Sequence, residues 1–170
     1  MAAKAIEPAG TGKGSPQAME KPSTIQVVEF LLGEERFAID LFDVKEVVEY
    51  TTITKLPNSP EYVRGIIDLR GEITKIVDLK DRLHIRNAGN TAIESSRIMV
   101  LDTSVTGAKV AILVDDVTSV STFEGDQVDY ASASTNREDS AIIGIIKRKI
   151  KVKDKEINEL IIWIDIRQLL

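Results

Sequence analysis

The chain has 170 residues, 43% of them apolar and 29% charged, with a net charge of −5 and a pI near 5.0. That length suits one generous domain or two small lobes sharing a core, and an acidic chain with 5% aromatics excludes a nucleic-acid reader, which needs a dominant basic face and rings for stacking. The lack of cysteine removes disulfides, thiolate metal sites and thiol nucleophiles, and the single histidine, His84, leaves no imidazole set for a zinc site or a Ser-His-Asp triad.

Residues 1–23 are rich in Ala, Gly, Pro, Lys and Ser and have almost nothing to bury, so they read as a disordered tail. The N-terminus has no apolar signal core, and no later run reaches the roughly 18 residues of a membrane helix. The expectation is a cytoplasmic protein with no membrane insertion. Order begins near Thr24, where Gln26 to Leu32 and Arg36 to Leu41 read as two strands around a Gly33-Glu34-Glu35 turn. Val44, Val47 and Val48 then recur at helical spacing, which predicts a short helix over Leu41–Val48 with the valines inside and Glu46 outside; their β-branching also suits a strand. Lys55 to Pro60 is a two-proline loop, and Glu61 to Arg64 reads as one helical turn.

Gly65 to Leu79 reads as two strands joined at Arg70-Gly71. Gly71 suits the positive φ of a tight hairpin. Ile67, Leu69, Ile73 and Val77 carry the two-residue period of a half-buried pair. A connector from Asp81 to Ser95, including Asn87 to Asn90, divides the chain near its middle. Arg97–Thr103, Ala108–Asp115 and Val117–Thr122 follow as strands, then a polar loop over Ala131–Ser140. Ala141–Ile146 and Glu159–Ile164 are the last strands, with Lys147 to Asn158 as an exposed hairpin end around Asp154-Lys155. Asp165 caps a short closing helix to Leu170. Many short strands with frequent turns, and no long helix to cross between parallel strands, imply a mostly β protein built as a pair of small barrels split near 81–96, with a groove between them.

Candidate sites are few. An arginine at the rim of a tight turn suits a carboxylate on a partner; the plain alternative is a solvated Arg70, or one paired with Asp68 on the same strand face. Adjacent Asp115 and Asp116 point to opposite faces of a strand and cannot easily share a metal. Gly10 to Ser15 lacks the spacing and the strand–helix setting of a phosphate loop. The basic cluster over Lys147–Lys155 is broken by acids and fits a solvated tip. His84 reads as a surface or half-buried side chain.

An ordered set of segments nonetheless resembles one family. Phe30-Leu31-Leu32-Gly33, Phe37-Ala38-Ile39-Asp40, Val44-Lys45-Glu46-Val47, Leu56-Pro57-Asn58-Ser59-Pro60, Val63-Arg64-Gly65-Ile66-Ile67 and Leu69-Arg70-Gly71 with Val77-Asp78-Leu79 are followed by Ala111 to Val117 and Ile142-Ile143-Gly144. Their succession over 25–170 is similar to the CheW-like domain of bacterial and archaeal chemotaxis. The chain departs from the family's usual pattern at Asp68, where Asn is common, and at Lys75, where Pro is. The resemblance implies two five-stranded SH3-like barrel subdomains over residues 24–170. It implies no enzyme activity, cofactor or metal, and an adaptor role coupling chemoreceptors to the histidine kinase CheA. The implied partners are the CheA regulatory domain and the cytoplasmic tip of the methyl-accepting chemotaxis proteins, whose helical hairpin would dock in the groove between barrels. Val44, Glu46 and Arg70 are the implied contact residues. Two other readings stay open: a scaffold of the same fold in another receptor–kinase pathway, and a small β-barrel enzyme using acidic residues.

Overall fold

The computed structural model describes residues 23–85, 92–130 and 141–170. The tail before Ser23, the glycine-rich 10–15 segment, the Asn87–Asn90 connector and the 131–140 loop lie outside the described residues. Eleven strands form among the described residues, in two sheets: β1 (Thr24–Leu32), β2 (Glu35–Asp40), β3 (Val44–Glu49), β4 (Val63–Leu69), β5 (Glu72–Asp78), β6 (Arg97–Leu101), β7 (Val110–Val114), β8 (Asp116–Glu124), β9 (Val128–Asp129), β10 (Ile142–Val152) and β11 (Lys155–Ile164). The six-stranded sheet runs β8-β1-β2-β11-β10-β9 and the five-stranded sheet β3-β6-β7-β5-β4. The fold is mostly β, as the turn spacing indicates. One helix, α1 (Leu79–Arg82), and four short 3-10 segments, among them Leu41–Asp43 and Gly125–Gln127, complete the described elements.

The 81–96 stretch read as a divide separates β5 from β6 in sequence, both of them strands of the five-stranded sheet. The whole of that sheet, β3 to β7, is an insertion between β2 and β8, so the six-stranded sheet is built from strands on both sides of it in the sequence. A parallel pairing of β11 with β2, Ile161–Trp163 against Arg36–Ala38, joins the two ends. No local pattern announces such a ladder, because its partners stand over a hundred residues apart.

Each sheet curls around its own apolar cluster. Ile25, Val27, Phe123, Ile146, Ile161 and Trp163 fill the six-stranded lobe. Ile67, Ile76, Ile98, Val100, Ala111 and Leu113 fill the five-stranded one. A third and larger cluster lies between them, where Phe30, Phe37 and Ile39 meet Met99, Leu101 and Ile112. Phe30 and Phe37 stack with ring centroids 6.0 Å apart. Every residue of β7, Val-Ala-Ile-Leu-Val, is buried, as its central place requires.

Four local expectations change. The helix over Leu41–Val48 is instead a single 3-10 turn, with Asp40 accepting a hydrogen bond from the Phe42 backbone N–H, followed by strand β3. The neighbouring β6 supplies a ladder that three valines suit better than a helix does. Val47 faces solvent at 41% exposure, and Glu46 shares its strand face with Val44 and Val48. Residues 61–62 form a plain turn before β4 rather than a helical turn running to Arg64. Ile73 is 60% exposed, because Thr74 and Ile76 are the β5 residues turned inward. The last hairpin turns at Lys153-Asp154, both at positive φ, one residue earlier than the charge pattern indicates.

Gly65 has a definite reason to be glycine. Its φ is +144°, and a Cβ there would lie 2.1 Å from the Thr54 carbonyl oxygen. That approach lets Thr54 and the neighbouring Ile66 exchange two backbone hydrogen bonds, of 2.9 and 2.8 Å. Through them the stretch after β3 reaches β4, the far strand of its own sheet.

Candidate functional site

Leu69-Arg70-Gly71 forms the tight hairpin expected of it. Arg70 and Gly71 both take positive φ, 52° and 84°, the signature of a two-residue turn whose twist matches its strands. Asp68 does not pair with Arg70. Its Oδ1 accepts a 2.7 Å hydrogen bond from the Gly71 backbone N–H, closing the turn, and so leaves the guanidinium to another acid.

That acid is Glu46. Arg70 donates from Nη1 to Oε1 at 3.0 Å and from Nη2 to Oε2 at 2.7 Å, a bidentate fork. The arginine side chain is 70% exposed and the glutamate 24%. Two of the three contact residues singled out from the sequence, 24 positions apart, therefore meet. The hydrogen bond from Arg70 holds the Glu46 carboxyl below its ordinary titration range. The third, Val44, is half-buried against the shared core and pairs with Leu101 of β6, two residues along β3 from Glu46. Besides orienting both side chains, the ion pair joins β3 to the β4–β5 turn and so spans the same gap as the Thr54–Ile66 bridge.

The surroundings mix charge and apolar surface. A Lys109–Glu72 ion pair lies alongside and, with Lys45, Thr74 and Thr103, lines a small cleft of about 50 Å³. Phe42, four residues before Glu46, is 77% exposed, and Ile73, three residues after Arg70, is 60% exposed. Neither stands out in the sequence: Ile73 continues an apparent buried period, and Phe42 sits in a stretch of helical spacing.

A second concavity, of about 410 Å³, lies where the end of the chain and the segment after α1 meet the six-stranded sheet. Phe37, Leu83, Ile85, Ile142, Ile162 and Leu169 give it an apolar lining, with Arg82 and His84 at its margin. His84 is exposed, at positive φ just past α1. Arg82 donates from Nε to the Leu169 carbonyl at 2.8 Å, tying α1 to the closing 3-10 segment that Asp165 caps.

The buried acids are engaged in the framework. Asp115 accepts from the Gly33 N–H at 2.6 Å and from Lys80 Nζ at 2.6 Å, while Asp116 is exposed on the other face. Asp78 caps α1 and accepts from Arg64 Nε at 2.8 Å. Burial pushes the Asp43 carboxyl up, although Arg167 lies 2.8 Å from it and pulls the other way. Glu29 loses solvent by burial, which would raise it, but hydrogen bonds from Arg148, Ser121 and Ser119 bring it below its ordinary value. No cluster of three metal-ligating side chains occurs among the described residues, and no helix there is long and apolar enough to cross a membrane.

Comparison with known proteins agrees with this architecture. Residues 26–170 match the CheW-like domain. The crystal structure of the scaffolding protein TtCheW from Thermoanaerobacter tengcongensis superposes with a TM-score of 0.68 at 34% identity, over 85% of this chain and 91% of that one. Chemotaxis protein CheW of Thermotoga maritima is 28% identical over 145 residues, 85% of this chain and 87% of its own length. Chemotaxis protein CheW of Treponema pallidum is 36% identical over 95 residues, a match that spans 56% of each protein. None of these relatives carries the name of an enzyme, and with the family match covering both sheets, the chain belongs to the CheW-like domain family.

Proposed function

We propose that this protein is a cytoplasmic chemotaxis adaptor, coupling the tip of a chemoreceptor to the regulatory domain of a CheA kinase. The observation that carries the reading is the Glu46–Arg70 fork: a preoriented, exposed ion pair with Phe42 and Ile73 close by in the chain, on a family scaffold. An oriented, exposed guanidinium suits the centre of a protein interface. Val44, Glu46 and Arg70 form the kinase-facing end in this reading. The apolar concavity along Phe37, Leu83, Ile85 and Ile162 takes the receptor's helical hairpin. An adaptor holding both partners raises their effective concentration, and its mechanism needs no chemistry of its own. The enzyme reading finds no support in the acids, since Glu29, Asp43, Asp78 and Asp115 are each committed to a basic side chain of the framework. A scaffold of another receptor–kinase pathway is separated by the same experiment.

The test is isothermal titration of the full chain against the CheA regulatory domain of the same genome, and separately against a receptor-tip fragment. Glu46→Ala and Arg70→Ala should each weaken kinase binding at least tenfold while leaving receptor binding intact. Ile85→Asp should do the reverse. Absence of kinase binding by the wild type would overturn the reading and favour the other-pathway scaffold.

A further inference from the structure

The two sheets close their gaps differently. The five-stranded sheet is drawn together by the Thr54–Ile66 bridge and the Glu46–Arg70 fork. In the six-stranded sheet, β8 pairs with β1, bends through the 3-10 turn at Gly125–Gln127, and continues as β9, which pairs with β10 only at Ile145 and Ile146. Beyond that point the outer edge of β8 and the edge of β10 from Lys147 to Val152 have no ladder partner among the described residues. Gln127 pins the vertex: its Oε1 accepts from the Glu124 N–H at 2.8 Å and its Nε2 donates to the Lys147 carbonyl at 3.4 Å. Under the gap, Arg148 of β10 reaches Glu29 of β1 with two 2.9 Å bonds and lies 5.7 Å over the Phe123 ring of β8. The result is an open seam with a buried ionic floor and two antiparallel strand edges as walls.

The walls differ in a way that specifies an occupant. Val117 to Phe123 of β8 contains no charge and no proline, the residues that native edges use to discourage pairing. Its ladder with β1 is regular from Ser119 to Glu124 and is broken by a bulge at Thr118, so about six residues of edge are presented. Val120 faces out at 62% exposure. On the opposite wall Lys147, Lys149 and Lys151 alternate along the outer face of β10, about 7 Å apart. The contacts of Lys147 with Asp129, at 3.8 Å, and of Lys149 with Glu156, at 3.9 Å, are long and solvent-screened. The ribbon over 147–160 has six basic residues against three acidic ones, within a chain of net charge −5. An unpaired row of N–H and C=O groups is satisfied by an extended backbone and not by a helix. Lysines at every second position call for acids at the same period.

We propose that this seam binds an extended segment of a partner protein, which adds a strand along β8 and turns acidic side chains at alternate positions toward Lys147, Lys149 and Lys151. The site is separate from the Glu46–Arg70 end and from the apolar concavity, and does not depend on the adaptor reading.

The probe is a capped heptapeptide of alternating glutamate and valine, titrated into the 15N-labelled full chain. Saturable shifts and slowed amide exchange are expected at Ser119–Glu124 together with shifts at Lys147–Lys151. The double variant Lys149→Glu with Lys151→Glu changes two exposed side chains. It should bind the probe at least tenfold more weakly and should bind the lysine–valine counterpart instead. A third peptide, with proline replacing each valine, keeps the charge but loses those backbone donors and should not bind. Equal binding of the proline peptide, shifts confined to the lysines, or no binding of the probe would each overturn the proposal.

Discussion

Replacing Arg148 by methionine tests the ionic floor of the six-stranded sheet. Glu29 has no exposed side-chain surface and accepts four hydrogen bonds, two from Arg148 and one each from Ser119 and Ser121. Arg148 also donates to Glu159, which in turn pairs with Arg36. Methionine keeps an apolar stem beside Phe123 but leaves the Glu29 carboxylate with two serine hydroxyls and no cation. Removing one partner of a buried pair costs about 3–5 kcal/mol. Because the serines remain and Arg148 is itself 28% exposed, the lower end applies, about 3 kcal/mol at pH 7. The pH dependence gives the sign. In the wild type the Glu29 pKa is lowered on folding, so its contribution is fully present above the unfolded carboxylate range and is lost as pH falls through the folded value. In the variant, burial without the cation raises the same group, and protonation relieves the penalty. The gap between wild type and Arg148→Met, measured by urea denaturation followed by circular dichroism, should therefore shrink from pH 7 to pH 5. A loss below about 1 kcal/mol, or a gap that does not change with pH, would refute the argument.

Other expectations follow from single contacts. Gly65→Ala places a Cβ 2.1 Å from a backbone oxygen and should cost more than about 3 kcal/mol in chemical denaturation. Gly71→Ala meets nothing within 4 Å and should cost only the positive-φ penalty of about 1 kcal/mol. Asp43→Asn removes an acid that burial has pushed up, whose charge works against folding as pH rises through the unfolded and then the raised folded value. Its stability at pH 7 should therefore stay within about 1 kcal/mol of wild type. Lys80→Met strands the buried Asp115 carboxylate and should lower the urea midpoint by about 3 kcal/mol of stability, with partial recovery on adding Asp115→Asn.

The strands and tight turns were legible because their causes are local. Strand-like runs on either side of a short glycine turn marked β1 and β2, the unbroken apolar run marked β7, and Arg70-Gly71 marked a hairpin whose positive φ values only a short turn demands. Asp165 marked the closing cap for the same reason: the carboxylate and the N–H it accepts lie two residues apart. Errors arose where two periods fit one stretch. Val44, Val47 and Val48 satisfy a helical face and a strand alike, and the adjacent β6 ladder decided between them. Ile73 read as buried because strand alternation says which residues share a face, not which face turns inward.

The ordered motifs led to the family, and Glu46 and Arg70 came with it as separate contacts. That they form one bidentate pair could not be read from positions 24 apart, nor could Asp68 be seen to cap the turn instead of neutralising the arginine. Periodicity and turn chemistry are properties of neighbouring residues, and they settled the mostly β character and the hairpins. Which strands share a sheet, the insertion of β3–β7 between β2 and β8, the burial of Glu29 under Arg148 and the open seam beside β8 were decided only by tertiary structure. Each depends on groups far apart in the chain being held within a few ångströms by burial of a common core.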